Sequence, residues 1–111
     1  MAESFQVYEP SGMVDGTKAN QFRMEIPRLL EDKPKPKVII IDFKNVSFMD
    51  SSGLGALVSS LKTVRAAGSK LFLCSVNDQV MMLLQLTDMD KILKIFESRE
   101  VFEEMIKKGI S

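Results

Sequence analysis

The chain has 111 residues, 45% hydrophobic and 27% charged, which suits one compact domain of about 100–150 residues. Fifteen Lys and Arg balance fifteen Asp and Glu, so no basic surplus is present to hold a phosphate backbone, and nucleic acid is not an expected partner. His is absent and Cys74 is the lone Cys, which excludes Ser-His-Asp hydrolysis, Cys-His proteolysis, His-ligated zinc and an intramolecular disulfide. Neither a metal nor a cofactor is expected.

Met1 to Gln6 has neither the basic opening nor the apolar core of a secretory signal. The longest aliphatic run, Val38 to Ile41, falls far short of the roughly 20 residues of a membrane-spanning helix. A soluble, cytoplasmic chain without membrane contact is expected, and a single thiol fits a reducing compartment.

Phe5 to Tyr8 predicts a short strand, ended by Pro10-Ser11-Gly12, where Pro fixes its backbone angle and Gly allows positive φ. Asp15 to Thr17 offer helix-capping side chains, and Phe22, Ile26, Leu29 and Leu30 follow at helical spacing. Pro27 has no N–H for the Arg23 carbonyl, which predicts a kink or a break at Ile26. Glu31 to Lys37 carries no apolar side chain and alternating Pro, so it reads as a solvated loop.

Val38 to Phe43 is apolar on both faces, as a strand buried in mid-sheet requires. Val46, Phe48 and Met49 lead into Asp50-Ser51-Ser52-Gly53-Leu54-Gly55. From there Leu54, Leu57, Val58, Leu61 and Val64 keep helical spacing up to Gly68, where a left-handed cap belongs. Lys70 to Val76 predicts a second buried strand, with Leu71, Leu73 and Ser75 on one side and Phe72, Cys74 and Val76 on the other, so Cys74 reads as core packing. Asn77 and Asp78 cap a helix carrying Val80, Leu83, Leu84 and one of Met81 or Met82 inward. Ile92 to Phe96 reads as a last strand, and Ser98 caps a terminal helix with Val101, Phe102, Met105 and Ile106 on one side. Strands alternating with helices imply an α/β layer structure with crossovers between parallel strands.

The segment Phe48 to Gly55 joins a strand to a helix, so its hydroxyls and backbone N–H groups sit at a positive helix end that favours anions. Asp50 and the serines also read simply as a helix cap, worth about 0.5–2 kcal/mol, with two Gly residues allowing close packing. A dinucleotide fingerprint on Gly53-Leu54-Gly55 fails, because Val58 stands where the third Gly belongs and no Gly-Lys-Ser/Thr follows. A nucleophilic serine fails too, since no His or obvious Lys stands ready to take its proton.

Ser47-Phe48-Met49-Asp50-Ser51-Ser52-Gly53-Leu54-Gly55 between a strand and a helix, followed by Gly68 and a second strand, resembles the signature of the STAS domains and, within them, of the bacterial anti-sigma factor antagonists. The likeness runs from Val7 to Lys107. It implies an α/β fold over 1–111 as a single STAS domain, with a small mixed β-sheet of four or five strands flanked by about four helices. It also implies that Ser51 is phosphorylated by an anti-sigma factor that is itself a serine kinase, and reset by a PP2C-type phosphatase. Gly12-Met13-Val14-Asp15 matches the family's Gly-x-apolar-Asp turn, which makes Asp15 a support of the phosphosite beside its reading as a cap for the first helix. Asp50, Ser52, Gly53, Leu54 and Gly55 belong to the same phosphosite or partner surface.

The unphosphorylated form would capture the anti-sigma factor and free a sigma factor, the chain itself being a monomer or weak dimer without enzymatic activity. The family usually has a strand before Phe5 to Tyr8, for which this start is short, and its Gly after the third helix is replaced by Asp88. The competing expectation is a STAS scaffold or ligand-sensing module in a stress-signalling or transport assembly without a sigma factor.

Overall fold

A computed structural model describes residues 4–109. Its elements run in the order β1 (Phe5–Tyr8), β2 (Gly12–Val14), α1 (Gly16–Leu30), β3 (Val38–Asp42), β4 (Val46–Met49), α2 (Ser51–Ala66), β5 (Lys70–Cys74), α3 (Asp78–Leu86), a 3-10 turn at Met89–Lys91, β6 (Lys94–Phe96) and α4 (Arg99–Lys107). A four-stranded sheet has the order β1-β3-β5-β6, and β2 and β4 form a separate two-stranded ladder. The α/β fold is the expected one. Among the described residues every ladder is parallel, where a mixed sheet was expected: a helix lies on each connection between neighbouring strands and returns the chain to run in the same direction. A strand before β1 would fall largely outside the described residues.

β3 and β5 are buried on both faces, and alternation sorts their side chains between two cores. Ile39, Ile41, Leu71 and Leu73 face Phe22 and Ile26 of α1, Leu57, Leu61 and Val64 of α2, and Val80 and Leu84 of α3. Val38, Ile40, Phe72 and Cys74 face Phe102 and Ile106 of α4. Phe102 meets Phe5, Phe72 and Phe96 edge-on, at centroid distances of 5.0, 6.2 and 5.4 Å, the geometry that aromatic quadrupoles favour.

The division of β5 into two faces is as read from the sequence, but the strand stops at Cys74. Ser75 takes φ 59°, which breaks the alternation, and Val76 packs with the α1/α2 core instead of joining Cys74. The last strand is likewise shorter than Ile92 to Phe96, because the 3-10 turn occupies Met89–Lys91 and leaves Ile92 as its cap. Asp88 takes φ 59° and ψ 15°, the left-handed conformation that Gly adopts freely and Asp tolerates better than most residues. α1 runs unbroken through Pro27: the residue deprives one carbonyl of its donor within the last turn, and Phe22 and Ile26 anchor the helix on the core. β2 is an element that the turn reading of Gly12 to Asp15 did not foresee, although Gly12 has the positive φ, 74°, that a turn there demands. Gly68 follows α2 at φ 80°, as a left-handed cap. Among the described residues no helix is long and apolar enough to cross a membrane.

Cys74 is fully buried, opposite the buried Asp42 in the β3–β5 ladder. Burial pushes its thiol up from 9.0 to about 12, and the Asp42 charge adds to the shift. The raised value means that the buried neutral thiol contributes stability that is fully present below the ordinary pKa and lost as pH rises through the folded one. The expected chemical result is a silent thiol: at about pH 8 a disulfide reagent should leave the native chain unmodified and react promptly once denaturant opens the core. Rapid labelling of the native chain would contradict the packing.

Candidate functional site

Two helix starts lie side by side because two strands do. In the β2–β4 ladder Val14 pairs with Met49, so the next residues, Asp15 and Asp50, leave the sheet together as the N-caps of α1 and α2. Asp15 Oδ1 accepts from the N–H groups of Thr17 and Lys18 at 3.0 and 3.4 Å, and Asp50 Oδ1 accepts from Gly53 N–H at 3.0 Å. Both carboxylates therefore satisfy backbone donors that a helix start leaves free. The cap reading of Asp15 is shown by its geometry.

Close approach of α2 to β2 is possible because residue 53 is Gly. A Cβ there would stand 2.1 Å from the carbonyl oxygen of Val14, and the same oxygen accepts from Asp50 N–H at 3.3 Å. Gly55 differs: it is exposed, and a Cβ would meet nothing within 4 Å. The expectation that both glycines serve helix packing holds for Gly53 and fails for Gly55, which faces outward. Leu54 is half-buried against the α1/α2 core.

α2 begins at Ser51, directly after its cap Asp50. The side chains of Ser51 and Ser52 are both exposed. A Cβ at Gly16 would stand 4.0 Å from Ser52 Oγ, which places that hydroxyl toward the first residue of α1. No acidic residue occupies the first turn of either helix, so the positive ends of both face the surface around Ser51 with Asp15 and Asp50 as the nearby negative groups. Met13 and Phe48, paired in the β2–β4 ladder, are exposed beside this surface.

Two residues absent from the sequence reading of the site reach it from α3. Asn77 caps α3 by accepting from Val80 N–H at 2.9 Å, as expected, and its Nδ2 also donates to the carbonyls of Val46 and Ser47 at 3.1 and 3.3 Å. Gln79 bonds Met49 twice: Oε1 accepts from Met49 N–H at 2.9 Å, and Nε2 donates to the Met49 carbonyl at 2.8 Å. No sequence pattern marks an amide in a helix's first turn as the partner of a distant strand.

The arrangement is a pair of capped helix starts with exposed hydroxyls, on a junction held from both sides. The family model for the STAS domain matches residues 2–101. The chain belongs to the STAS domain family. Among the relatives of this STAS domain, the anti-sigma F factor antagonist of Paenibacillus polymyxa is 31% identical over 88 residues, 79% of this chain and 74% of that protein. A Thermotoga maritima structure assigned as an anti-sigma factor antagonist is 26% identical, with a TM-score of 0.80 over 93% of this chain and 87% of that one.

Two further structures share the fold at lower identity. A sulfate transporter family protein of Wolinella succinogenes is 20% identical, with a TM-score of 0.80 over 95% of this chain and 88% of that one. The Bacillus cell fate determinant SpoIIAA in its phosphorylated form is 20% identical, with a TM-score of 0.68 over 95% of this chain and 94% of that one.

Proposed function

We propose that this STAS domain is an anti-sigma factor antagonist switched by phosphorylation of Ser51. In its unmodified form it binds an anti-sigma factor that is also a serine kinase, and so releases a sigma factor. Phosphorylation of Ser51 ends that binding, and a PP2C-type phosphatase restores it. The observation that carries the reading is the position of Ser51 as the exposed first residue of α2, at a strand-to-helix junction whose cap and close packing are supplied by Asp50 and Gly53. Ser51 is thus free of a structural duty and open to a kinase. The antagonist relatives and the phosphorylated form of SpoIIAA support the same assignment.

The switch is electrostatic. A phosphoserine adds about −1.5 to −2 charges with strong acceptor oxygens, and the helix start accommodates it within the chain. A partner surface shaped around a neutral hydroxyl instead meets bulk, a charge close to Asp50 and the cost of stripping water from an anion. The chain is the substrate in this scheme, with no imidazole to act as a base.

Intact-mass analysis with the partner kinase and ATP is expected to show addition of one phosphate to the wild type and to Ser52→Ala, and none to Ser51→Ala. Phosphate retained by Ser51→Ala would move the site and overturn the assignment. The scaffold reading has the transporter-family fold neighbour behind it, and co-purification separates the two: an anti-sigma factor kinase supports the switch, transporter subunits the scaffold.

A further inference from the structure

We propose that Gln79 is a positioning residue for the phosphoacceptor, acting on Ser51 through the backbone of Met49; this rests on the reading of Ser51 as the phosphorylated serine. In the β2–β4 ladder β4 has β2 on one edge and, among the described residues, no strand on the other. α3 closes that second edge with side chains. Asn77 donates to the Val46 and Ser47 carbonyls, and the carboxamide of Gln79 both accepts from and donates to Met49 at 2.9 and 2.8 Å. A primary amide carries its acceptor and donors in one plane, so Gln79 presents to Met49 what a neighbouring strand would present.

Met49 is fully buried and stands two residues before Ser51. Between them Asp50 donates its N–H to the Val14 carbonyl at 3.3 Å and caps Gly53 through Oδ1. The junction that presents Ser51 is therefore held by β2 on one side and by Gln79 on the other. Phosphoryl transfer needs the attacking hydroxyl in line with the bond that breaks, and the enzyme's gain comes largely from positioning. Removal of the carboxamide leaves the N–H and the carbonyl of Met49 unpaired in a partly buried place. The backbone then turns them toward water, since unpaired buried groups are costly, and Ser51 loses its fixed presentation. The surface around Ser51 that the kinase grips keeps its side chains, so the loss falls on turnover and leaves docking in place.

The test uses the full chain as wild type, Gln79→Met and Gln79→Glu. Met keeps the length without the amide, and Glu keeps an acceptor while its carboxylate cannot donate to the Met49 carbonyl. Steady-state phosphorylation by the anti-sigma factor kinase that captures the wild type, with ATP, is measured below the melting midpoints of all three, together with hydrogen exchange at the Met49 amide. The expected result is a kcat lower by about tenfold in both variants with KM within about twofold of wild type, and a Met49 amide that loses protection in Gln79→Met. A folded variant with lost Met49 protection and wild-type kcat overturns the positioning role and leaves the Ser51 switch standing. A fall confined to KM also overturns it, because Gln79 would then belong to the docking surface. A wild type that the captured kinase does not phosphorylate overturns the switch and this role with it.

Discussion

Replacement of Gly53 by Ala is expected to destabilise the chain by about 3 kcal/mol or more and to lower its melting midpoint by roughly 10 °C or more. The reason is a backbone contact. The added Cβ would stand 2.1 Å from the Val14 oxygen and 2.9 Å from both the Val14 carbonyl carbon and its Cγ1. A flexible side chain could swing away, but a carbonyl in a strand is fixed by its ladder. Relief requires α2 to move off β2, and that movement strains the Asp50 N–H bond to the same Val14 oxygen. The packing of Ala56, Leu57, Leu61 and Val64, all buried in the core, limits how far α2 can go. Gly55→Ala is the matched control on the same helix: with open space around it, the added methyl should raise stability by about 0.5–1 kcal/mol through helix propensity. Urea unfolding of the two variants should give shifts of opposite sign. Equal, small effects at both positions would show that Gly53 is not in contact with β2.

The site and the fold were legible in the sequence to the extent that they repeat a period or punctuate one. β3 and β5 were readable because both faces are apolar, and the assignment of Leu71 and Leu73 against Phe72 and Cys74 follows from alternation alone. The end of β5 was not readable, since Ser75 adopts a left-handed φ without being Gly. β2 is three residues long, too short for alternation to register, and its role depends on β4, more than thirty residues away in the chain. The caps at Asp15, Asp50, Asn77 and Ser98 were legible because each precedes a helical apolar pattern. What Gly53 packs against, why Gly55 is different and what Gln79 holds depend on which strand lies beside which helix. That is a matter of tertiary arrangement, and the local pattern carries no trace of it.

Ser51→Asp is expected to separate binding from folding. The cap of α2 is Asp50, whose Oδ1 takes the Gly53 N–H. A change at the exposed residue 51 therefore removes no bond that the fold depends on. A carboxylate there faces the positive end of a helix with no acidic residue in its first turn, a favourable interaction of about 0.3–1 kcal/mol that offsets its repulsion from Asp50. The melting midpoint should stay within a few degrees of wild type. Binding is governed by a different term, because taking an anion out of water at an interface costs several kcal/mol when no cation meets it. At about 1.4 kcal/mol for each tenfold change, affinity for the anti-sigma factor should fall about 100-fold or more. Ser51→Ala keeps a small neutral side chain and should bind as the wild type does, without being switched off by ATP. Calorimetric titration of the three proteins against the same partner, alongside their melting curves, checks both halves. Wild-type affinity in Ser51→Asp would reject the charge switch, and a collapsed melting curve would make residue 51 part of the helix cap after all.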